Sequence, residues 1–415
     1  MRDLLRILAL IAALSVTVLG AMLGFAGIAV GIIGGGPDML MLVTSSASIL
    51  LLSVGLGLAA TWHAWRAIRG YPSAPFQPRK IWLLVALFGL ALVLGQTMLS
   101  LSLLPALTFP PFHVAATILP AVIAVALIGR SLAGAVTWRD MVLQAASGAF
   151  LATPLAFIME GTTILLLVIA TLLGVAWLPA GKYLILTATS YLQDPSLLQV
   201  PGVLVSALRT PGIIVAAFAV VAGLIPLAEE AIKTIGVGLM GYRRPSLPQA
   251  VLWGLAAGAG FAAAEGLLNT TGSLDGWLPG VLLRIGTTLL HCLTGALMGL
   301  AWYQVLVRRR WSRSLLLYVM SIAIHGLWNS LALAMVLLSL SALGTSASSG
   351  SLAVAGLGVV AILLSLVVLG IGLAGGLAGL AVYVRRRGPA ILSANEGAAS
   401  ADSETPIMEA PCPED

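Results

Sequence analysis

Long apolar runs alternate with short polar segments along almost the whole chain. Runs of about 20 residues or more can each cross roughly 30 Å of hydrocarbon as a helix. This pattern predicts spans at residues 4–33, 39–63, 81–106, 112–130, 141–178, 210–240, 248–269, 280–307, 314–341 and 352–384. We therefore predict an all-α, polytopic helical membrane protein with about ten transmembrane helices.

The basic residues predict the orientation of these helices. If the spans alternate from a cytoplasmic N-terminus, all but four of the 21 Lys and Arg residues lie on the cytoplasmic side. Lys182, Arg209 and Arg284 then lie outside or near the outer face, and Lys233 lies within the membrane. Cytoplasmic loops of membrane proteins carry an excess of Lys and Arg. The pattern thus predicts two cytoplasmic termini, and the net charge of +6 does not indicate a nucleic-acid partner.

The run at 141–178 is long for one crossing and contains Pro154, Glu160 and Gly161. Two crossings here would reverse the orientation of every later span, unless residues 182–209 also crossed the membrane. We interpret the run as one broken or tilted span that is followed by an outer segment. Glu160 has no polar companion in this span, which favours a local structural role or contact with water on the outer side.

Composition supports the membrane class. The chain is 60% hydrophobic and 9% charged, whereas an ordinary soluble domain has about 25% charged residues. Cys292 lies in an apolar span and Cys412 in a polar tail, so the cysteines form neither a disulfide framework nor a CxxC metal site. The tail at 385–415 is rich in Pro, Ser, Ala and acidic residues beyond its first arginines, and we predict that it is disordered.

Ionisable residues are concentrated inside consecutive spans of the second half of the chain. A central Asp, Lys or Arg costs about 2.5–3.5 kcal/mol in a transmembrane helix, so such residues are usually functional. Residues four apart share a helix face, and this spacing relates Glu229 to Lys233, Phe261 to Glu265, His291 to Gly295, and His325 to Asn329. At ~1.5 Å per residue, these groups lie within about two helical turns of one depth. We therefore predict one polar cavity.

Each group taken alone also has a structural interpretation. Glu229 and Lys233 could form an i,i+4 ion pair, and Glu230 would then need a partner from another helix. An intramembrane His or Asn often forms a hydrogen bond between helices. Gly295 could be a site of close helix packing. Their joint occurrence on consecutive spans favours a functional site.

Glutamates, histidines and an amide are the groups that a water-activating hydrolase needs. A buried glutamate can act as general base toward water, and a histidine can protonate the leaving amine. Histidine and asparagine can donate hydrogen bonds to a tetrahedral oxyanion. The same Glu and His side chains could hold Zn²⁺ with one position open for water. The HExxH zinc motif is absent from the sequence.

Four motifs in this region occur on successive spans: "EEAIK" as EExxK, "FAAAE" as FxxxE, "HCLTG" as HxxxG and "HGLWN" as HxxWN. In this order they resemble the PrsW family of intramembrane proteases, which is distantly similar to the CAAX-prenyl endopeptidase type of membrane protease. The resemblance covers roughly 225–330. It implies a protease core at 140–341, after an N-terminal four-helix membrane region at 1–139 and before a last transmembrane helix at 342–384 and the cytoplasmic tail.

The resemblance implies peptide-bond hydrolysis within the membrane, in the family by site-1 cleavage of a membrane-anchored anti-sigma factor. The expected partners are a membrane-anchored protein substrate and the lipid bilayer, and the expected location is the cytoplasmic membrane of a bacterium. By the same resemblance, Glu229 and Glu230 match the paired glutamates, one of which activates water. Lys233 would orient or neutralise this pair.

The remaining motif residues complete the predicted catalytic set. Glu265 and His291 match the second and third motifs and would assist the water or bind metal. His325 and Asn329 match the last motif and would form an oxyanion clamp. Residues available to a zinc ion are Glu230, Glu265, His291 and His325. The family is classed with metalloproteases and its relatives are argued to use glutamate without metal, so both mechanisms stay open.

A proton- or ion-coupled transporter is the main alternative function, because Glu, His and Lys at mid-membrane depth also form ion relays. We find no inverted repeat and no paired broken helices in corresponding halves, which such transporters often have. A catalytically inactive scaffold is a third possibility. Convergence of Glu230, Glu265, His291 and His325 on one pocket would favour the enzyme, and a continuous polar track to both faces would favour transport.

Overall fold

The structure, a computed structural model, describes residues 2–36, 38–101, 104–132, 134–176, 211–270, 274, 276–343 and 349–403. Within these ranges the chain is helical, and one isolated β-bridge joins Pro75 to Thr137. The α-helices are α1 (Arg2–Gly34), α2 (Met39–Ile68), α3 (Ile81–Leu101), α4 (Pro105–Thr108), α5 (Pro110–Ser131), α6 (Trp138–Ser147), α7 (Thr153–Ala176), α8 (Pro211–Phe218), α9 (Ile225–Ile232), α10 (Ile235–Leu239), α11 (Leu247–Thr270), α12 (Trp277–Leu306), α13 (Trp311–Leu343) and α14 (Ser349–Ser403). Two π-helical turns, Gly148–Ala152 and Ala219–Leu224, precede α7 and α9, and a 3-10 turn spans Gly241–Arg243.

Ten segments of the described chain are long and apolar enough to cross a membrane. Each predicted span overlaps one of them, so the prediction of an all-α multi-pass membrane protein is confirmed. These segments are helical because a long apolar stretch in lipid can satisfy its backbone polar groups only within a helix. The cytoplasmic location of the termini and the domain boundaries stay predictions.

The long run that begins at residue 138 is one helical stretch with an interruption, as interpreted from the sequence. A π turn at Gly148–Ala152 separates α6 from α7, and Pro154 follows it as the second residue of α7. Proline cannot donate a backbone hydrogen bond, which disturbs the regular helical ladder before it. The hydroxyl of Thr153 donates to the carbonyl oxygen of Gly148 at 3.0 Å. Residues 177–210, with the predicted outer segment, Lys182 and Arg209, lie outside the described residues.

The last helix, α14, continues to Ser403, past the predicted end of the span at residue 384. The first part of the tail that was predicted to be disordered is therefore described as helical. Residues 404–415 lie outside the described part of the chain.

Helix α11 lies at the centre of the helix bundle. Almost all of its residues are buried, and it contacts α5, α6, α7, α12 and α14. Its sequence "AAGAGFAAAEG" is rich in Ala and Gly, and small residues let transmembrane helices approach closely. The burial of α11 on all sides follows from its apolar circumference. Its one acidic residue, Glu265, lies among these buried residues with its own side chain 14% exposed.

The contact between α11 and α12 leaves no room for a side chain at Gly258. A Cβ atom there would lie 2.1 Å from the carbonyl oxygen of His291. We expect Gly258→Ala to destabilise the protein by roughly 1–3 kcal/mol, because the added methyl must push the two backbones apart. The thermal unfolding midpoint in detergent measures this effect.

Gly89→Ala in α3 is the matched control, because no atom beyond the adjoining backbone of its own helix lies within 4 Å of the position of its Cβ. We expect this variant to unfold at the wild-type temperature or slightly above it, since alanine favours a helix over glycine. Equal midpoints for the two variants would contradict the close packing of α11 on α12.

The N-terminal helices attach to the core through a buried histidine. The indole Nε1 of Trp277, the first residue of α12, donates to Nδ1 of His113 in α5 at 3.0 Å. Phe109 packs edge-on against the same indole, with ring centroids 5.2 Å apart. This contact fixes the beginning of α12 against the N-terminal region.

Candidate active site

The polar residues predicted to share a cavity come together in the structure. Helix α9 contributes Glu229 and Glu230, and Lys233 follows its last residue. Glu265 on α11, His291 on α12 and His325 on α13 complete the cluster, and short polar contacts connect them. All are buried except Glu265, which is slightly exposed. The six side chains form one polar cluster, but the expectation that Glu230 also lines the shared pocket is not met.

Lys233 pairs with Glu230 and not with Glu229, so the i,i+4 pair considered from the sequence is wrong. Nζ of Lys233 lies 2.5 Å from Oε1 of Glu230. The same Nζ contacts Nδ1 of His291 at 2.9 Å and donates to the hydroxyl of Thr294 at 3.2 Å. Because α9 ends one residue before Lys233, the lysine side chain can turn toward α12 and meet these acceptors. Its charge is neutralised inside the protein.

His325 is oriented by Glu230. Its Nδ1 lies 2.8 Å from Oε1 of Glu230, and its Nε2 lies 3.7 Å from Oε2 of Glu229. A carboxylate only accepts hydrogen bonds, so Nδ1 must carry the hydrogen in this contact. In the neutral imidazole, Nε2 then presents its lone pair toward Glu229.

His291 has the opposite arrangement. An ammonium group only donates, so Nδ1 of His291 accepts from Lys233 and the hydrogen of the neutral ring lies on Nε2. Nε2 is 2.8 Å from Oε2 of Glu265, but the two atoms lack the alignment of a hydrogen bond. The rings of His291 and His325 are perpendicular, with centroids 5.1 Å apart. The two imidazoles thus occupy one site in different tautomers.

A cavity of about 660 Å³ adjoins this cluster. Its polar lining includes Glu160, Glu229, Glu265, His291 and His325. Glu230 and Lys233 do not line it and lie behind the histidines. The structure therefore distinguishes the paired glutamates: Glu229 faces the cavity and Glu230 supports it.

The rest of the cavity is mainly apolar and extends toward one end of the bundle. Its apolar lining includes Phe157, Ile225, Leu283, Leu333 and Val336. It also reaches the last residues of α11 and the first residues of α12. The cavity therefore combines a reactive polar cluster with space for an apolar chain.

Three side chains around the cavity form a group that could hold a metal ion. One ligand atom each of Glu229, His291 and His325 lies within 4.8 Å of the others, and all three residues are buried. Oε2 of Glu229 and Nε2 of His291 are buried without a hydrogen-bond partner. Two imidazoles and one carboxylate form a known catalytic zinc set, so the residues fit the ion.

This group differs from the predicted ligands, because it contains Glu229 in place of Glu230 and Glu265. Oε1 of Glu230 already contacts Lys233 and His325. For a cation to bind at Nε2 of His291, the hydrogen on that nitrogen must leave as a proton, since metal binding displaces protons from ligands.

Asn329 lines the cavity but also has a packing role. Its Nδ2 donates to the carbonyl oxygen of Val221 at 2.9 Å, within the π turn that precedes α9. A Cβ atom on Gly326 would lie 2.3 Å from the carbonyl oxygen of Ala222 in the same turn. The "HGLWN" segment thus positions α13 against the turn before the glutamates. The oxyanion role of Asn329 stays a prediction, with one amide N–H left for it.

The other motif residues mainly shape the site. A Cβ atom on Gly295 would lie 2.6 Å from the carbonyl oxygen of Gly254, so this glycine is a close-packing site. Phe261 lies beside His291, with ring centroids 5.1 Å apart, and Nζ of Lys233 lies 5.2 Å from the centre of the Phe261 ring.

Sequence reasoning missed three residues of the site. Glu160 lines the cavity with Glu229, and its Oε1 is buried without a hydrogen-bond partner. Arg284, which was used only to predict the orientation of the spans, forms an ion pair with Glu265. Asn269 also binds Glu265, and its position four residues after Glu265 was an available signal.

Comparison with known proteins bears on the same region. Residues 136–369, more than half of the chain, match the family described as PrsW family intramembrane metalloprotease. The matched segment contains all four motifs and every residue of the polar cluster. Searches of curated proteins and of solved structures gave no match.

Proposed function

Because the chain belongs to the PrsW family of intramembrane metalloproteases and is therefore a membrane-embedded protease, we propose that it cleaves its substrates in the cavity beside Glu229, His291 and His325. The observation that carries this proposal is the convergence of these buried groups on one cavity. The family match supports a peptidase and gives no support to the transporter alternative.

In this proposal Glu229, His291 and His325 hold the metal ion of the family. When bound, a zinc ion at such a site polarises the scissile carbonyl and makes bound water acidic enough to react near neutral pH. Glu230 accepts a hydrogen bond from Nδ1 of His325 and keeps Nε2 directed toward Glu229. Lys233 neutralises Glu230 in the protein interior.

Glu265 is the proposed base. Its Oε2 lies at the cavity wall, 2.8 Å from Nε2 of His291 but without the alignment of a hydrogen bond, and in this proposal it accepts a proton from water. The second amide N–H of Asn329 is the proposed donor to the oxyanion of the tetrahedral intermediate. The metal-independent alternative from the sequence uses the same carboxylates as general bases.

The proposed substrate is a single membrane-anchored protein segment with apolar side chains. The apolar part of the cavity would receive such a segment, and the polar cluster excludes a wholly lipid environment at the scissile bond. By family analogy the natural substrate is a membrane-anchored anti-sigma factor in the cytoplasmic membrane of a bacterium. Under the predicted orientation, the ends of α11 and α12 that adjoin the cavity face outward, opposite Arg308 to Arg310. Cleavage is then expected on the outer side.

We expect metal removal to abolish cleavage reversibly. The test uses purified full-length protein in liposomes with a panel of single-span substrates, before and after treatment with a zinc chelator and again after added Zn²⁺. Bound metal is measured in parallel by mass spectrometry for the wild type and for His325→Ala. We expect about one zinc per wild-type chain and a strong loss of zinc in the variant, because His325 supplies a ligand.

Cleavage that withstands complete metal removal would contradict the metal mechanism and favour the glutamate mechanism. Cleavage that His325→Ala leaves unchanged would contradict the assigned site.

A further inference from the structure

We propose that Arg284 and Asn269 are positioning residues that orient Glu265 for the reaction; the inference rests on the proposed role of Glu265. Both guanidinium N–H groups of Arg284, at NH1 and NH2, donate to Oε1 of Glu265 at 3.2 Å. The amide Nδ2 of Asn269 donates to the same Oε1 at 2.8 Å. Three donors thus converge on one carboxylate oxygen.

The other oxygen of Glu265 is left for the site. Oε2 lies 2.8 Å from Nε2 of His291 and receives no aligned hydrogen bond. Because all three donors approach Oε1, rotation of the carboxylate would break several hydrogen bonds at once. The donors of Arg284 and Asn269 thus form a clamp on Glu265 that keeps Oε2 directed toward His291.

The clamp also joins the two central helices. Arg284 and His291 are seven residues apart on α12, about two helical turns, so both project from the same face. Asn269 and Glu265 are four residues apart on α11. NH2 of Arg284 additionally donates to the backbone oxygen of Glu265 at 3.3 Å. Arg284 thus binds both the side chain and the backbone of the residue that it positions.

The chemistry of the clamp favours arginine specifically. Arg284 lies next to the cavity, but its side chain is only 17% exposed, and its NH1 and NH2 groups already contact Glu265. Lysine would supply a compact charge without the planar pair of donors. Arg284→Lys is therefore expected to keep the positive charge at this position but not to fix the orientation of the Glu265 carboxylate.

The kinetic test compares Arg284→Gln, Arg284→Lys and Asn269→Ala in the liposome cleavage reaction. Loss of a group that orients a metal ligand typically reduces activity 10- to 100-fold, and we take the same range for a group that orients a catalytic base. We expect a loss of about this size in kcat with little change in KM for Arg284→Gln, and a smaller loss for Arg284→Lys and Asn269→Ala. Arg243→Gln, which removes an ion pair with Asp140 away from the site, is the matched control and should keep wild-type activity.

A double-mutant comparison separates positioning from direct substrate contact. If Arg284 acts only through Glu265, Arg284→Gln has no further effect on the residual activity of Glu265→Gln. If the activity losses of the two single variants multiply in the double variant, the proposal is overturned. It is also overturned if Arg284→Gln mainly raises KM and leaves kcat unchanged.

Histidine NMR tests the clamp without relying on activity. The chain has four histidines, so ¹⁵N-histidine labelling of the full-length protein in nanodiscs gives few signals, which His-to-Gln variants assign. We expect Arg284→Gln and Glu265→Gln to shift the His291 ring nitrogens alike, and their combination to add nothing. The signals of His113, bound by Trp277 in a separate network, should not move and report on correct folding. An unchanged His291 signal in folded Arg284→Gln would overturn the clamp, even if the proposed function failed for another reason.

Discussion

Glu229→Gln is expected to reduce substrate cleavage by more than about 10- to 100-fold, the range found when a group that only orients a metal ligand is removed, because Glu229 is itself a proposed metal ligand. Oε2 of Glu229 is buried beside the cavity and has no hydrogen-bond partner, and it lies 3.7 Å from Nε2 of His325. Glutamine has nearly the same shape but is neutral, so it is a poor metal ligand and no base. The measurement is cleavage of a single-span substrate in liposomes.

The same variant is expected to unfold at nearly the wild-type temperature, because the lost oxygen makes no hydrogen bond in the structure. Glu230→Gln is the matched comparison, since it changes the neighbouring glutamate in the same way. Glu230 contacts Lys233 and His325, so this variant should lose stability as well as activity. Wild-type cleavage by Glu229→Gln would exclude Glu229 from the reaction and contradict the proposed metal site.

Lys233→Met is expected to destabilise the protein by about 3–5 kcal/mol, the range found when one partner of a buried ion pair is removed. Lys233 and Glu230 have no exposed side-chain surface, and Nζ of Lys233 also contacts His291 and Thr294. Without the ammonium group, the carboxylate of Glu230 is left in the interior without its counter-charge. The thermal unfolding midpoint and chemical unfolding in detergent measure this loss.

The double variant Lys233→Met with Glu230→Gln should recover part of the stability, because no uncompensated charge then remains. Arg243→Met is the control for a more accessible pair: the Arg243 side chain is 38% exposed and that of its partner Asp140 is 5% exposed, so we expect a smaller loss of stability than for Lys233→Met. If the single and double Lys233 variants are equally unstable, the buried ion pair is not the reason that Lys233 is needed.

The positions of the membrane helices could be predicted from the sequence because they depend on local properties. A run of apolar residues long enough to cross the bilayer must be helical, whatever surrounds it. The i,i+4 relations within "HGLWN" and between Phe261 and Glu265 follow from helix geometry alone. The convergence of the polar residues was also predictable, because an ionisable group in the membrane needs polar partners and few were available.

Relations between helices could not be obtained in this way. Nothing local distinguishes Glu229 from Glu230, since the two differ by about 100° around α9 and either could face the cavity. Lys233 could equally have paired with Glu229 across one helical turn. The sequence indicated only that Arg284 lies near the outer face, because its partner, Glu265, is on another helix.

The sequence by itself therefore determined that this protein is a multi-pass helical membrane protein with a polar cluster on consecutive spans, and its motifs indicated the protease family. Only the tertiary structure decided which glutamate faces the cavity, which partner neutralises Lys233, and that Arg284 holds Glu265. The physical reason is that span formation depends on the apolar length of each segment. The pairing of buried polar groups depends on how each helix is rotated and packed against its neighbours.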